Sequence, residues 1–412
     1  MHILLIHQYY LEKGDSGGSR FNEMTKAWEA EGHKTTVLAG MVHHLSGKKL
    51  PRYKGKYTYV DQYSPLIKVI RCHVSESYSA GFTGRFWGYI SFVMSSIYAG
   101  VFVAKEKYDV IVVTSPPLFV GFTAWVLSII KRRPFVFEIR DLWPESAIDT
   151  GVLNNKFIIW AAYKFEKFIY NRATKINVLT TAFRDKLIQD KGIAPEKIMY
   201  IPNAADFEHS DHALATLDVA AFRKKLGWED KVVITYVGAH GVANHLIQVL
   251  DTAERIKDRK EVLFVLIGEG MERNKLMEEA RKRNLTNVQF LEAAPKPDIF
   301  YYIMASDFGA SVLKKVDTFK TVLSNKTFDY MSCKIPIMML IDGVSRALVE
   351  EAKCGVYVEP ENPADYEAKI RHYLTLDKAA WQKQGEAGFL YAKSHFDRQV
   401  LARKYLQLLS EL

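Results

Sequence analysis

Short runs of β-branched and aliphatic residues recur along the chain at Ile3-Leu4-Leu5-Ile6, Thr35-Thr36-Val37-Leu38, Val69-Ile70, Val110-Ile111-Val112-Val113, Phe135-Val136-Phe137 and Ile176-Asn177-Val178-Leu179. Helix-like stretches separate them, and buried strands alternating with helices predict a parallel sheet covered on both faces. The pattern restarts at Val232-Val233-Ile234-Thr235-Tyr236-Val237 and continues through Val262-Leu263-Phe264-Val265-Leu266-Ile267, Val288-Gln289-Phe290-Leu291 and Ile335-Pro336-Ile337-Met338. Two successive doubly wound, Rossmann-like α/β domains are expected. Between them, residues 202–217 are polar and weakly periodic, with Asn203, Asp206, His209, Asp211 and His212, as suits a linker. This places the domains at 1–205 and 206–393. Near the C-terminus Val400, Leu401, Tyr405, Leu408 and Leu409 fall at helical spacing, so residues 394–412 predict an amphipathic helix that can return to cover the first domain.

Residues 86–104 carry no charge, a length at the lower end of a membrane span. Gly88, Ser91, Ser95, Ser96 and Gly100 interrupt them, and a strand follows from Asp109, where the fold needs a crossover helix. A span there would split one sheet across the bilayer, so a buried or interfacial helix is expected.

A length of 412 residues suits two domains, and 48% hydrophobic with 25% charged residues is ordinary for a globular chain. Cys72, Cys333 and Cys354 are far apart and in no metal-ligand spacing, which argues against a disulfide framework or a zinc site and fits a reducing cytoplasm. The run from His2 to His7 is strand-like and lacks the features of a signal peptide. A net charge of +9 draws an anionic partner: nucleic acid, acidic lipid or a phosphorylated small molecule. Nucleic acid is disfavoured, since no zinc-finger or RNA-binding signature occurs and the aromatics sit inside apolar periodic segments.

Each half opens with a strand, a glycine-bearing loop and a helix, the arrangement that offers backbone amides to phosphate. The first loop carries Gly14, Gly17 and Gly18, the second Gly238, His240 and Gly241, and neither is the three-glycine dinucleotide fingerprint. Residues 313–337 say more. Ser324 precedes a helix with Lys326 in its first turn, where dipole and charge together suit a phosphate. Asp329 lies one turn further, and a carboxylate there can accept from two vicinal ribose hydroxyls; the plainer alternative is a capped surface helix with a solvated aspartate. In the first half, Arg140, Asp141 and Glu145 follow a strand end, at the edge where such sheets bind ligands. Alternatively, Asp141 caps the next turn and Arg140 pairs with it.

The chain resembles glycosyltransferase family 4, the retaining enzymes of the two-domain GT-B fold, whose domains face each other across a cleft. The resemblance rests on Gly17-Gly18, the run Phe137-Glu138-Ile139-Arg140-Asp141-Leu142-Trp143-Pro144-Glu145-Ser146, Tyr236-Val237-Gly238, Ile267-Gly268-Glu269-Gly270, and residues 324–336. The Arg-Asp-Leu-Trp-Pro-Glu-Ser run looks like a branch that includes bacterial N-acetyl-L-fucosamine transferases of surface polysaccharide synthesis. The family usually carries two glutamates separated by seven residues; here Asp329 stands at the second position and Thr321 at the first. The Arg and Lys that usually follow the first strand of the second domain are missing, leaving His240, Asn244 and His245. By position Lys326, helped by Lys320, is the substitute for neutralising the diphosphate.

The resemblance implies transfer of a sugar from a nucleotide diphosphate donor, UDP-linked, with an N-acetylated amino sugar among the candidates, onto a lipid-linked saccharide. Asp141, Glu145 and Lys326 are the expected catalytic groups. Gly17, Gly18, Arg140, Gly238, His240, Glu269, Lys320, Thr321 and Asp329 are the expected binding groups. No metal or cofactor is expected, because neither loop holds an Asp-x-Asp pair or a histidine cluster. The first domain would take the acceptor and the second the nucleotide sugar. A nucleotide-sugar 2-epimerase of the same fold, a transferase acting on a non-lipid acceptor, a nicotinamide dehydrogenase and a non-catalytic membrane-binding protein are the alternatives. The basic residues Lys131, Arg132, Arg133, Lys156, Lys164, Lys167 and Arg172 lie beside apolar helices, which suggests peripheral attachment to the anionic inner face of the cytoplasmic membrane.

Overall fold

The computed structural model describes residues 1–13, 15, 20–42, 47–79 and 81–412, in two compact units. The first comprises Met1–Pro202 with Gln399–Leu412, the second Asn203–Arg398.

The first unit is built on an eight-stranded sheet: β1 His2–Ile6, β2 Lys34–Gly40, β3 Thr58–Gln62, β4 Ile67–Cys72, β5 Val110–Ser115, β6 Phe135–Ile139, β7 Lys175–Val178 and β8 Ile198–Tyr200, in the order β3-β4-β2-β1-β5-β6-β7-β8. All neighbours are parallel except β3 and β4. Helices cover both faces, which is why the aliphatic runs of β1 and β5 are buried almost throughout instead of alternating. The chain winds outward from β1 to β3, returns through the helix Gly81–Tyr98, and winds outward again from β5. The order therefore reverses between β1 and β5, and the crevice beyond their C-terminal ends is where this topology binds ligands.

The second unit repeats the scheme with six parallel strands: β9 Val232–Val237, β10 Val262–Ile267, β11 Val288–Leu291, β12 Phe308–Val312, β13 Ile337–Leu340 and β14 Gly355–Tyr357, in the order β11-β10-β9-β12-β13-β14. Its reversal falls between β9 and β12.

Four strands go beyond the sequence expectation, and each lacks the signal. β3 is a half-exposed edge strand; β8 and β14 have three residues each. β12 reads Phe-Gly-Ala-Ser-Val because the Tyr330 ring fills its flank: a Cβ on Gly309 would come within 2.3 Å of it. Much of the segment read as a linker is the helix Phe207–Thr216, started by Asp206, whose carboxylate accepts from the His209 amide at 3.2 Å. The C-terminal helix Arg398–Ser410 buries Leu401, Tyr405, Leu406 and Leu409. Tyr405 meets Trp28 edge-on at 5.6 Å, and Arg403 pairs with Glu31 at 2.9 Å, so the helix is docked on Arg20–Ala30 of the first unit. Each such apolar side chain contributes about 1.5–3 kcal/mol relative to exposure.

Candidate active site

At the reversal of the second sheet, β9 runs into Gly238 and β10 into Gly268. These turns interlock: the Gly238 amide donates to Ile267 O at 3.0 Å and the His240 amide to Glu269 O at 2.8 Å. Gly268 has φ +145°, and a Cβ there would lie 2.0 Å from Gly238 O, so no other residue fits. Tyr330, on the helix Asn325–Ser332, receives the Val237 amide and donates to Thr235 O, both at 3.1 Å, which fixes that helix against β9.

The helix start is therefore held beside Gly238. Ser324, at the cap position, makes no cap bond; its hydroxyl instead accepts from Lys326 Nζ at 3.1 Å. The first amides of the helix thus keep no side-chain acceptor, the condition under which a helix start takes an anion. Lys326 Nζ sits 4.9 Å over the Tyr236 ring, and its Cε is 3.3 Å from where a Gly238 Cβ would stand. Burial pushes the Lys326 ammonium down to about 8, against the pull of Asp329. Burial also raises Asp329, opposed by Lys296. Asp206 lies beyond: burial would raise it, but the His209 hydrogen bond, Lys296 at 2.9 Å and Arg398 hold it far below the carboxylate range.

His240 is fully buried, and neither ring nitrogen has a partner among the described residues. Burial, then Arg273, lowers it to about 4, so at neutral pH it is an uncharged ring able to donate from one nitrogen and accept at the other. The side chains of the remaining expected groups have other partners. Lys320 reaches solvent and pairs with Asp317 at 2.8 Å. Thr321 donates to Thr318 O at 2.6 Å, and the half-exposed Glu269 carboxylate stands 3.6 Å from Arg273.

In the first unit, Arg140 and Asp141 follow β6 at its C-terminal end. Arg140 has no carboxylate within ion-pair distance among the described residues, so the Arg140–Asp141 pair considered from sequence does not form; its Nη1 stands 3.3 Å from His7 Nε2. Asp141 accepts from Ser146 Oγ at 2.7 Å, and burial raises its carboxyl above the usual range. Glu145 is tied to Lys191 at 2.6 Å, which also holds the buried Glu166 at 2.6 Å, while Glu145 Oε2 has no partner. Gly17 and Gly18 lie outside the described residues. The loop before them is pinned by Glu12, which takes Arg71 Nε at 3.2 Å, Tyr53 at 2.6 Å and Tyr63 at 3.0 Å.

Residues 17–204 match the glycosyl transferase 4-like domain, and residues 218–389 match glycosyl transferases group 1. The chain belongs to glycosyltransferase family 4. Along 98% of its length this glycosyltransferase is 23% identical to WcaI of Escherichia coli (strain K12), a protein assigned to colanic acid biosynthesis as a glycosyl transferase, covering 99% of it. It superposes on sucrose-phosphate synthase from Thermosynechococcus elongatus with a TM-score of 0.75 at 16% identity, covering 100% and 98% of the two chains. Anabaena HepE in complex with UDP and glucose gives 0.73 at 18%, covering both chains fully. The fold is GT-B.

Sequence reading had not singled out Arg20, Lys191, Lys296 or Arg398 in this glycosyltransferase. Each pairs with a carboxylate distant in the chain, and no local spacing marks such a pair. One result is expected directly from the Asp329 environment. Asp329→Asn should weaken UDP binding by about 1.5–3 kcal/mol, the range for hydrogen bonds to a charged group. It should not lower the thermal midpoint, because burial makes the native carboxylate unfavourable, and its raised pKa means stability is lost as pH rises and the group ionises. Calorimetric titration and a melting curve check both.

Proposed function

We propose that this glycosyltransferase moves a sugar from a nucleotide diphosphate donor, UDP-linked, to a lipid-linked saccharide during bacterial surface polysaccharide synthesis, with retention of configuration. The carrying observation is the uncapped start of the helix Asn325–Ser332 with Lys326 against Gly238, at the reversal of the second sheet. Negative charge grows on the diphosphate as the bond to the anomeric carbon breaks, and helix amides with one ammonium stabilise it without metal. Asp329 takes the ribose and His240 contacts the donor. In a retaining reaction the acceptor enters from the leaving-group face and a donor phosphate oxygen takes its proton, so no strong protein base is required. The UDP in the HepE structures and the biosynthetic assignment of WcaI support this choice of donor and process. Incubation with a panel of UDP-sugars and a polyprenyl-diphosphate-linked saccharide tests it: radiolabel should move to the lipid fraction, and transfer from no member would refute it.

One face of the first unit supports a membrane-bound acceptor. Among the described residues one stretch, Phe86–Val103, is long and apolar enough to cross a bilayer. It buries Phe92, Ser95, Ser96 and Gly100 and exposes Trp87, Met94 and Phe102. On the helix Lys156–Arg172, Phe157 is 73% and Trp160 56% exposed, stacked at 5.8 Å, with Lys164 beside the indole. Exposed aromatics among lysines and arginines fit the interface of an anionic leaflet, each basic residue contributing about 1 kcal/mol near the surface. The protein should pellet with anionic and not neutral vesicles, leave them at high salt, and bind less after Arg132→Glu with Arg133→Glu. Equal recovery in the supernatant throughout would make it a transferase working away from membranes.

A further inference from the structure

The C-terminal ends of β1, β5 and β6 hold the Arg140 guanidinium, which feels Glu138 and Asp141 but has no carboxylate within ion-pair distance among the described residues. Glu138 is fully buried, but Arg20 Nε at 3.1 Å and Asn177 Nδ2 at 2.9 Å already occupy it. Asp141 accepts from Ser146, and burial raises its carboxyl above its ordinary value. Among the described residues, the side-chain hydrogen bond of the partly buried Arg140 goes to His7. A guanidinium can only donate, so His7 Nε2 accepts and the imidazole proton sits on Nδ1, which has no partner although the residue is 3% exposed. One further buried polar atom in the same place is unpartnered, Thr114 Oγ1 on β5. The register pairs Ile6 with Val113, which sets His7 level with Thr114 on the adjacent strand. Buried polar atoms are rarely left without partners. Their convergence at the reversal of the sheet marks a ligand position.

We infer that Arg140, braced by His7, is an anion-recognition site of the first unit, and that the acceptor carries a phosphoryl or carboxylate group which Arg140 grips with its planar fork. This rests on the reading that the first unit takes the acceptor. The guanidinium offers paired donors that match the two oxygens of either group. Its single bond to a neutral imidazole fixes its orientation without cancelling its charge, which a carboxylate partner would do. His7 is thus a positioning residue.

Ligand-observed NMR titration of glucose, glucose 1-phosphate and glucuronate into the full chain, without donor, tests the site. At least one charged sugar should bind tenfold or more tighter than glucose; phosphate-only or carboxylate-only preference names the group. Arg140→Gln should bring the ratio within twofold, and Arg140→Lys should leave it in between. His7→Leu should reduce the ratio, and His7→Gln, which returns an acceptor near the Nε2 position, should restore it; a purely packing role would not distinguish these two. Melting curves confirm that each variant is folded. Equal binding of charged and neutral sugars by the native protein, or an unchanged ratio in Arg140→Gln, overturns the inference. UDP titrated separately reports on the donor reading, so failure of one is not confused with failure of the other.

Discussion

Glu138→Ala is expected to destabilise the first unit by about 3–5 kcal/mol, the usual cost of leaving one member of a buried ion pair alone. Arg20 Nε would lose its carboxylate while the guanidinium remained buried, held by Ile201 O at 2.7 Å and by Pro202 O. Asn177 would lose an acceptor at the same time. Replacing both Arg20 and Glu138 by leucine should recover most of the loss, since an apolar pair of similar volume avoids the uncompensated charge. Urea unfolding followed by tryptophan fluorescence reads the effect. A change below about 1 kcal/mol for the single variant would mean that water reaches Arg20 and screens it. The pair also explains why Glu138 stands inside a strand of phenylalanine, valine and isoleucine: it receives Arg20 from the start of the first helix.

Lys326→Ala should lower turnover by about 10²–10³-fold, the range for loss of one group aimed at developing negative charge. Nucleotide affinity should fall less, because the diphosphate charge grows between ground and transition state. An effect confined to KM would contradict this role. Burial brings Lys326 down to about 8, so in the free protein the ammonium is mostly present at pH 7 and mostly lost at pH 9. UDP affinity should therefore decline as pH rises through about 8. Lys326→Arg, which stays charged, should flatten the profile. Folding runs the other way. The lysine pKa is lower in the folded protein than in the unfolded chain, so the unfolded chain binds more protons above pH 8, and this group's contribution to stability rises with pH.

The architecture was largely readable because buried parallel strands leave continuous aliphatic runs, and β1, β5, β9 and β10 are of that kind. Where the fold uses small residues or very short strands, as at β12 and β14, hydrophobicity carries no message. At the candidate site the helix start was legible through Ser324, Lys326 and Asp329, since capping position and helical spacing are local properties. The detail was not: Ser324 accepts from Lys326 in place of capping, and Lys320 turns to Asp317. Nor could spacing reveal that Glu145 is shared with Lys191, or that Arg140 meets His7 and not the adjacent Asp141, because those partners are set by strand order. The polar run after Pro202 looked like a linker for a related reason. Asp206 is polar because it caps a helix, accepting from the His209 amide, and because it gathers Lys296 and Arg398.

Calorimetric titration of UDP into the native protein in EDTA, repeated with Lys326→Ala and Asp329→Asn, tests the donor site most directly. Saturable one-site binding that persists in the chelator and weakens in both variants, by about tenfold or more in Asp329→Asn, is the predicted result. Binding that requires added magnesium or manganese, or that is the same in all three proteins, would contradict it.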